Sequence, residues 1–248
     1  MRERLGPGAI IAAVALSVGS LALVTFAATW PGRFAALTLT HPFLMGFGKL
    51  FLLGTFGELL KFRLSRGHWG CDHVLERAAV WGVYGCWFTL VFPGFSILVN
   101  GLVEMRYWPA AVPLLPAWLW IAFSKSLWLN FLGMYAWGMM LSHDYCNHLI
   151  RHRWRSWRLE AFAREAQPVF ALAFLPKTLL FWIPAQTFTY ALPGEWRVFM
   201  AALLAVVLGF LLSVGGATSR PARDEPAADS GSRAPRYESG ASGLRSDC

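Results

Sequence analysis

Six stretches of the chain are long, apolar and nearly free of charge: 8–28, 42–57, 78–103, 112–141, 169–191 and 198–214. A helix crossing the hydrocarbon of a bilayer needs about 20 mostly apolar residues. Only helices and closed barrels satisfy their backbone polar groups in lipid. These blocks are too continuous for the alternating pattern of barrel strands. The pattern predicts an all-α protein, a polytopic transmembrane helix bundle of about six spans. The block at 42–57 is the weakest, being short, rich in glycine and interrupted by Lys49; it is compatible with a re-entrant or tilted helix. The block at 112–141 is long enough to tilt strongly, or to begin as an interfacial segment around Pro113 and Pro116. Gly46, Gly82 and Cys86 belong to sets of small residues at four-residue spacing, which let helices approach closely.

Charge sets the orientation. With six spans and the first residues inside, sixteen of the loop, end and tail cations fall on the inner side. Only Arg33, Arg106 and Arg197 fall outside. The positive-inside rule then predicts both termini cytoplasmic, in a bacterial inner membrane. The first apolar run exceeds the roughly 7–15 residues of a signal-peptide core and reads as a retained span. After Gly216 the chain turns to Ser, Arg, Asp, Pro, Ala and Gly. The expected division is a bundle over 1–216 and a disordered cytoplasmic tail over 217–248.

Composition agrees with a membrane protein: 56% hydrophobic residues and a mean hydropathy of +0.45 exclude an ordinary soluble domain. The net charge of +8 is spread through short loops, so it points to anionic lipid headgroups and not to nucleic acid. Thirteen Trp and nineteen Phe suit aromatic belts at the interfaces. Cys71, Cys86, Cys146 and Cys248 form no C-x-x-C pair, so they suggest no thiolate metal site.

The chemistry-bearing residues lie inside the apolar blocks. Lys49, Lys125 and Lys177 lie within three of them, Asn130 and Gln186 share two of these blocks, and Glu58 lies near the cytoplasmic end of the second span. An ionisable group at membrane depth is costly and marks a functional site by default. One hydrated cationic cavity accounts for all three lysines; snorkelling or pairing, such as Glu58 with Lys177, is the structural alternative. In a helix, Asp144, His148 and His152 fall on one face at spacings of four. They form a weak metal-ligand set, short of the eight or so histidines that membrane di-iron enzymes use. The stretch Arg151, Arg153, Trp154, Arg155, Trp157 and Arg158 interleaves cations with aromatics and reads as a headgroup anchor. No phosphate-cradling G-x-x-x-x-G-K-[ST] loop or G-x-S-x-G elbow occurs. No cofactor is called for.

The last third carries a further pattern: Trp182, Pro184, Gln186 and Phe188, then Pro193 and Arg197, then Leu212 and Ser213. This resembles the C-terminal signature of the Mpv-seventeen family of small peroxisomal and mitochondrial inner-membrane proteins. Weaker matches run from Pro42 to Glu58, from Arg77 to Gly94, and at Lys125. Thr187 stands where the family has Asn, and Glu58 where it has Asp. The resemblance implies a channel or pore for small solutes or ions, and the lysines would favour anions. The alternative is a membrane enzyme or lipid-binding factor using the rim of Asp144, His148 and His152. A homo-oligomer is compatible with either.

Overall fold

The structure, a computed structural model, describes residues 7–67, 69, 72–133, 135–155, 157–165 and 174–218. Nine α-helices occupy the described residues: α1 (Pro7–Thr29), α2 (Pro31–Thr40), α3 (Pro42–Arg66), α4 (Val74–Glu104), α5 (Ala117–Phe131), α6 (Tyr135–Arg151), α7 (Leu159–Glu165), α8 (Phe174–Ala191) and α9 (Gly194–Thr218). There is no strand among them, only an isolated bridge between Val112 and Leu115. Four helices are long and apolar enough to cross a membrane: α1, α3 over Pro42–Ser65, α4, and α9 over Gly194–Leu211. The chain is an integral membrane protein of all-α class.

Proline placement explains two helix starts. Pro31 and Pro42 both open their helices, a position where the missing N–H costs nothing and the fixed φ is already helical. The segment after the first apolar block, read from sequence as a loop, is therefore the separate helix α2. Gly67 closes α3 at φ 80°, the left-handed conformation that caps a helix without Cβ strain. The block at 42–57 is the front of an uninterrupted helix of 25 residues. The helix α4 has 31 residues and holds Pro93 inside it; at 1.5 Å per residue it is about 46 Å long.

The block at 112–141 is not one helix. It divides into α5, of 15 residues, and α6, of 17, with Leu132 and Gly133 outside both. Hydropathy alone does not register such a joint, because both halves are apolar.

The centre of the bundle is α3. It runs antiparallel to α4, with Gly46 against Gly85, Gly54 against Trp81 and Glu58 facing Arg77. It runs parallel to α9, where Lys49 reaches the Glu195 carbonyl and Gly57 lies on Ala205 and Gly209. The backbones meet so closely that a Cβ at Gly209 would sit 2.5 Å from the Gly57 oxygen. Close approach between small residues replaces side-chain interdigitation here. The early part of α1, Ala13 and Leu16, packs with Leu59, Val74 and Ala78. The starts of α1 and α4 and the later part of α9 thus share the Glu58 end of the bundle.

The main core gathers Leu50, Leu53, Phe88, Phe92, Tyr135, Trp182 and Phe199 at mid-height. Tyr135, at the start of α6, packs on Phe88, Phe92 and Trp182 with ring centroids 5.1–6.1 Å apart. From there α6 runs to the Glu58 end, where His143 lies over Trp81 at 4.5 Å. At the other end Trp108 donates to Ser124 and Trp120 to the Pro109 carbonyl, tying the loop after α4 to α5. The helix α9 runs through Thr218, and 219–248 lie outside the described residues, as do 1–6 and 166–173.

Candidate functional site

Two cavities are stacked along the same three helices, α3, α4 and α9. The first, about 260 Å³, is lined at its polar end by Glu58, Lys61, His143, Asp144 and Asn147 and at its deep end by Phe88, Tyr135 and Trp182. The second, about 240 Å³, is lined by Thr38, Lys49, Thr89, Phe92, Glu195 and Arg197. Between them stand Leu50, Leu53, Phe88 and Phe92, none more than 2% exposed.

The first cavity owes its polarity to helical spacing. His143 and Asn147 are four apart on α6, so they project from one face. Glu58, near the end of α3, meets Arg77 at the start of the antiparallel α4: Arg77 Nη1 lies 3.4 Å from Glu58 Oε1 and donates to Asn147 Oδ1 at 2.5 Å. Arg77 Nε donates to the Asp72 carbonyl at 3.1 Å. Asn147 Nδ2 donates to His143 Nδ1 at 3.2 Å. A ring nitrogen that accepts leaves the proton on the other, so His143 Nε2–H faces Glu58 Oε1 at 3.8 Å. Glu58 Oε2 and His143 Nε2 are buried without a hydrogen-bond partner. A buried polar atom left unpaired costs free energy, and a cavity that admits water or a polar solute relieves that cost.

The structure distributes the sequence candidates unevenly. Lys49 is 1% exposed, hydrogen-bonded to Thr38 Oγ1 at 2.7 Å and to the Glu195 carbonyl at 3.3 Å, and it lies over the Phe34 ring at 4.4 Å. Lys125 is half-buried in a different recess with Ala117, Trp118, Tyr190 and Ala191. The two lysines therefore line separate spaces. The side chain of Lys177 lies outside the described residues, and the cation that Glu58 meets is Arg77. Asn130 is buried and donates to the Ser126 carbonyl at 2.8 Å. Gln186 is fully buried, and both its amide atoms lack an ordinary hydrogen bond, with the Tyr135 phenol close by.

Asp144, His148 and His152 do not converge. Asp144 lines the first cavity; His148 is fully buried, its ring stacked on Tyr145 at 6.3 Å and tilted to His152 at 4.5 Å; His152 is exposed. Among the described residues no three His, Cys, Asp or Glu come together as a metal would require. Arg151, Arg153, Arg155 and Arg158 are exposed, as are Trp154 and Trp157, whose rings lie 6.1 Å apart. Trp154 Nε1 donates to Glu76 at 3.1 Å, which fixes this turn to the start of α4.

Arg77, His143 and Asn147 escape a reading by charge and depth. Arg77 counts as a loop cation, and His143 sits one residue off the Asp144–His148–His152 face. The four-residue spacing of His143 and Asn147 was the available signal. A larger groove of about 780 Å³ lies between α4 and α6, but its walls are mainly apolar and Val83 on its rim is 65% exposed. That is a surface suited to lipid tails. No family model, curated protein or solved structure matches this chain.

Proposed function

We propose that this protein is a conduit or carrier for small polar solutes, anions among them, in a bacterial cytoplasmic membrane, with its pathway sealed in this conformation. The observation that carries the reading is the pair of cavities on α3, α4 and α9, each with charged side chains on part of its wall, separated by one apolar layer of Leu50, Leu53, Phe88 and Phe92. Apolar constrictions between hydrated vestibules gate by excluding water. The resemblance of the last third to the Mpv-seventeen family supports the same class of function. The distribution of cations supports an orientation with the Glu58 cavity facing the cytoplasm.

The test is flux into liposomes carrying the purified protein, with matched anions and cations. Phe88→Ala removes a ring from the seal and is expected to raise solute flux several-fold over the parent. If neither the parent nor Phe88→Ala passes any anion, cation or neutral solute above empty liposomes, the reading is overturned.

Orientation has its own test. With the inherited cysteines replaced, a cysteine at Ala110 should react with an impermeant thiol reagent added to intact cells. One at Arg155 should stay protected until the cells are opened. Reversed labelling would place the Glu58 cavity outside.

A further inference from the structure

We infer that the cavity at the Lys49 end is a binding site for an oxyanion, a phosphate group or small carboxylate. This rests on the conduit reading and names the solute class that the site would take.

The first reason is a surplus of positive charge: two cations share this cavity with one carboxylate, that of Glu195. Lys49 and Arg197 both line this cavity. The Lys49 ammonium donates two hydrogen bonds, to Thr38 Oγ1 and to a backbone carbonyl, and has three donors to place. The Arg197 guanidinium donates to Ser96 Oγ at 3.0 Å and to the carbonyls of Leu192 and Tyr190 at 3.1 and 3.5 Å. Among the described residues no carboxylate comes within 4.0 Å of either group; the ion pairs there involve Glu58 and Glu76 only. Glu195 belongs to the wall, yet it offers Lys49 its backbone oxygen, and its carboxylate acts only at longer range. Two cations held around one buried space, each with its remaining partners neutral, attract an anion strongly because little water screens them.

The second reason is the position of α9. This helix of 25 residues begins at the cavity, with Gly194 and Glu195 among the lining residues. The first N–H groups of a helix have no partner in its own ladder, and the helix dipole adds partial positive charge there. Phosphates and carboxylates bind at such ends. Thr38 and Thr89 place hydroxyls on the same wall. A cation would meet Lys49, Arg197 and this helix end against the single carboxylate of Glu195, so the balance of charge favours an anion.

The experiment is calorimetric titration of inorganic phosphate into the full chain, purified in a zwitterionic detergent. The parent is expected to bind, and Lys49→Met to bind at least ten-fold more weakly. Loss of Lys49 also disturbs packing, so a second variant keeps the test sharp. A Cβ at Gly194 would meet nothing within 4 Å, and a helix N-terminus favours acidic residues. Gly194→Asp should therefore fold as well as the parent while losing phosphate binding more than ten-fold. Gly101→Ala, where a Cβ would meet nothing within 4 Å and which lines neither cavity, should leave phosphate affinity unchanged.

Equal binding by the parent and Gly194→Asp overturns the site, as does no binding by a folded parent. Phosphate binding without any liposome flux would remove the conduit reading and keep the site. Flux without anion preference or phosphate binding would do the reverse. Repeating the titration in nanodiscs separates two sources of the same chemistry. A free anion should bind equally in phosphatidylcholine and in phosphatidylglycerol discs. Loss of phosphate binding in the latter would keep the site but assign it to a lipid phosphate.

Discussion

Replacing Arg77 with Met is expected to destabilise the protein by about 3 kcal/mol, at the lower edge of the range for breaking a buried ion pair. The Glu58 and Arg77 side chains are 13% and 9% exposed, so neither is fully shielded. Arg77 holds three acceptors at once: Glu58, Asn147 and the Asp72 carbonyl. Without it, the only basic side chain within 4 Å of the Glu58 carboxylate among the described residues is His143, at 3.8 Å. The expected result is a large drop in the thermal unfolding temperature in detergent. Glu58→Gln alone leaves Arg77 with two neutral acceptors and should cost less. The double variant Glu58→Gln with Arg77→Met should recover part of the Arg77→Met loss, since the stranded charge is gone. Strict additivity of the two single losses would show that the pair does not couple.

The second large effect is expected at Gly85. A Cβ there would collide with the Gly46 carbonyl oxygen, which belongs to the backbone of α3. A backbone atom cannot swing aside as a side chain does, so the two helices must part. Overpacking typically costs 1–3 kcal/mol, and Gly85→Ala is expected at about 3 kcal/mol or above. Gly94 provides the comparison on the same helix, because a Cβ there meets nothing within 4 Å. Gly94→Ala should be neutral or gain up to about 1 kcal/mol from helix propensity. Similar unfolding temperatures for the two variants would contradict the close α3–α4 contact.

The helical class and four of the six expected crossings were legible because hydropathy over some twenty residues is a strong signal. The joint after α5 was not, since it shows neither as a charge nor as a proline. The short helix α2 was also hidden: thirteen residues separate the first two blocks, and only Pro31 and Pro42 at its edges hint at two helix starts. At the sites, the sequence singles out Lys49 and Glu58 because a charge inside an apolar run stands out. It does not show which partner each will meet. Glu58 faces Arg77 because α3 and α4 run antiparallel with glycines at the crossing, a fact of packing. Lys49 reaches Glu195, 146 positions away in sequence, for the same kind of reason.

The division of 112–141 into two helices has a mechanical consequence. A continuous helix passes any tilt at one end to the other. Here only the second half, α6, supplies wall residues to the Glu58 cavity, and α5 contributes to neither of the stacked cavities. On the conduit reading, a tilt of α6 about Leu132 and Gly133 would widen the Glu58 cavity without moving α5, which is tied by Trp108, Trp120 and the Ser126 bond to Ile183. Tyr135 sits at the pivot and against Phe88 and Phe92. On the same reading, a tilt that displaces Tyr135 would also shift Phe88 and Phe92, so the Glu58 cavity and the apolar layer beside it would open together.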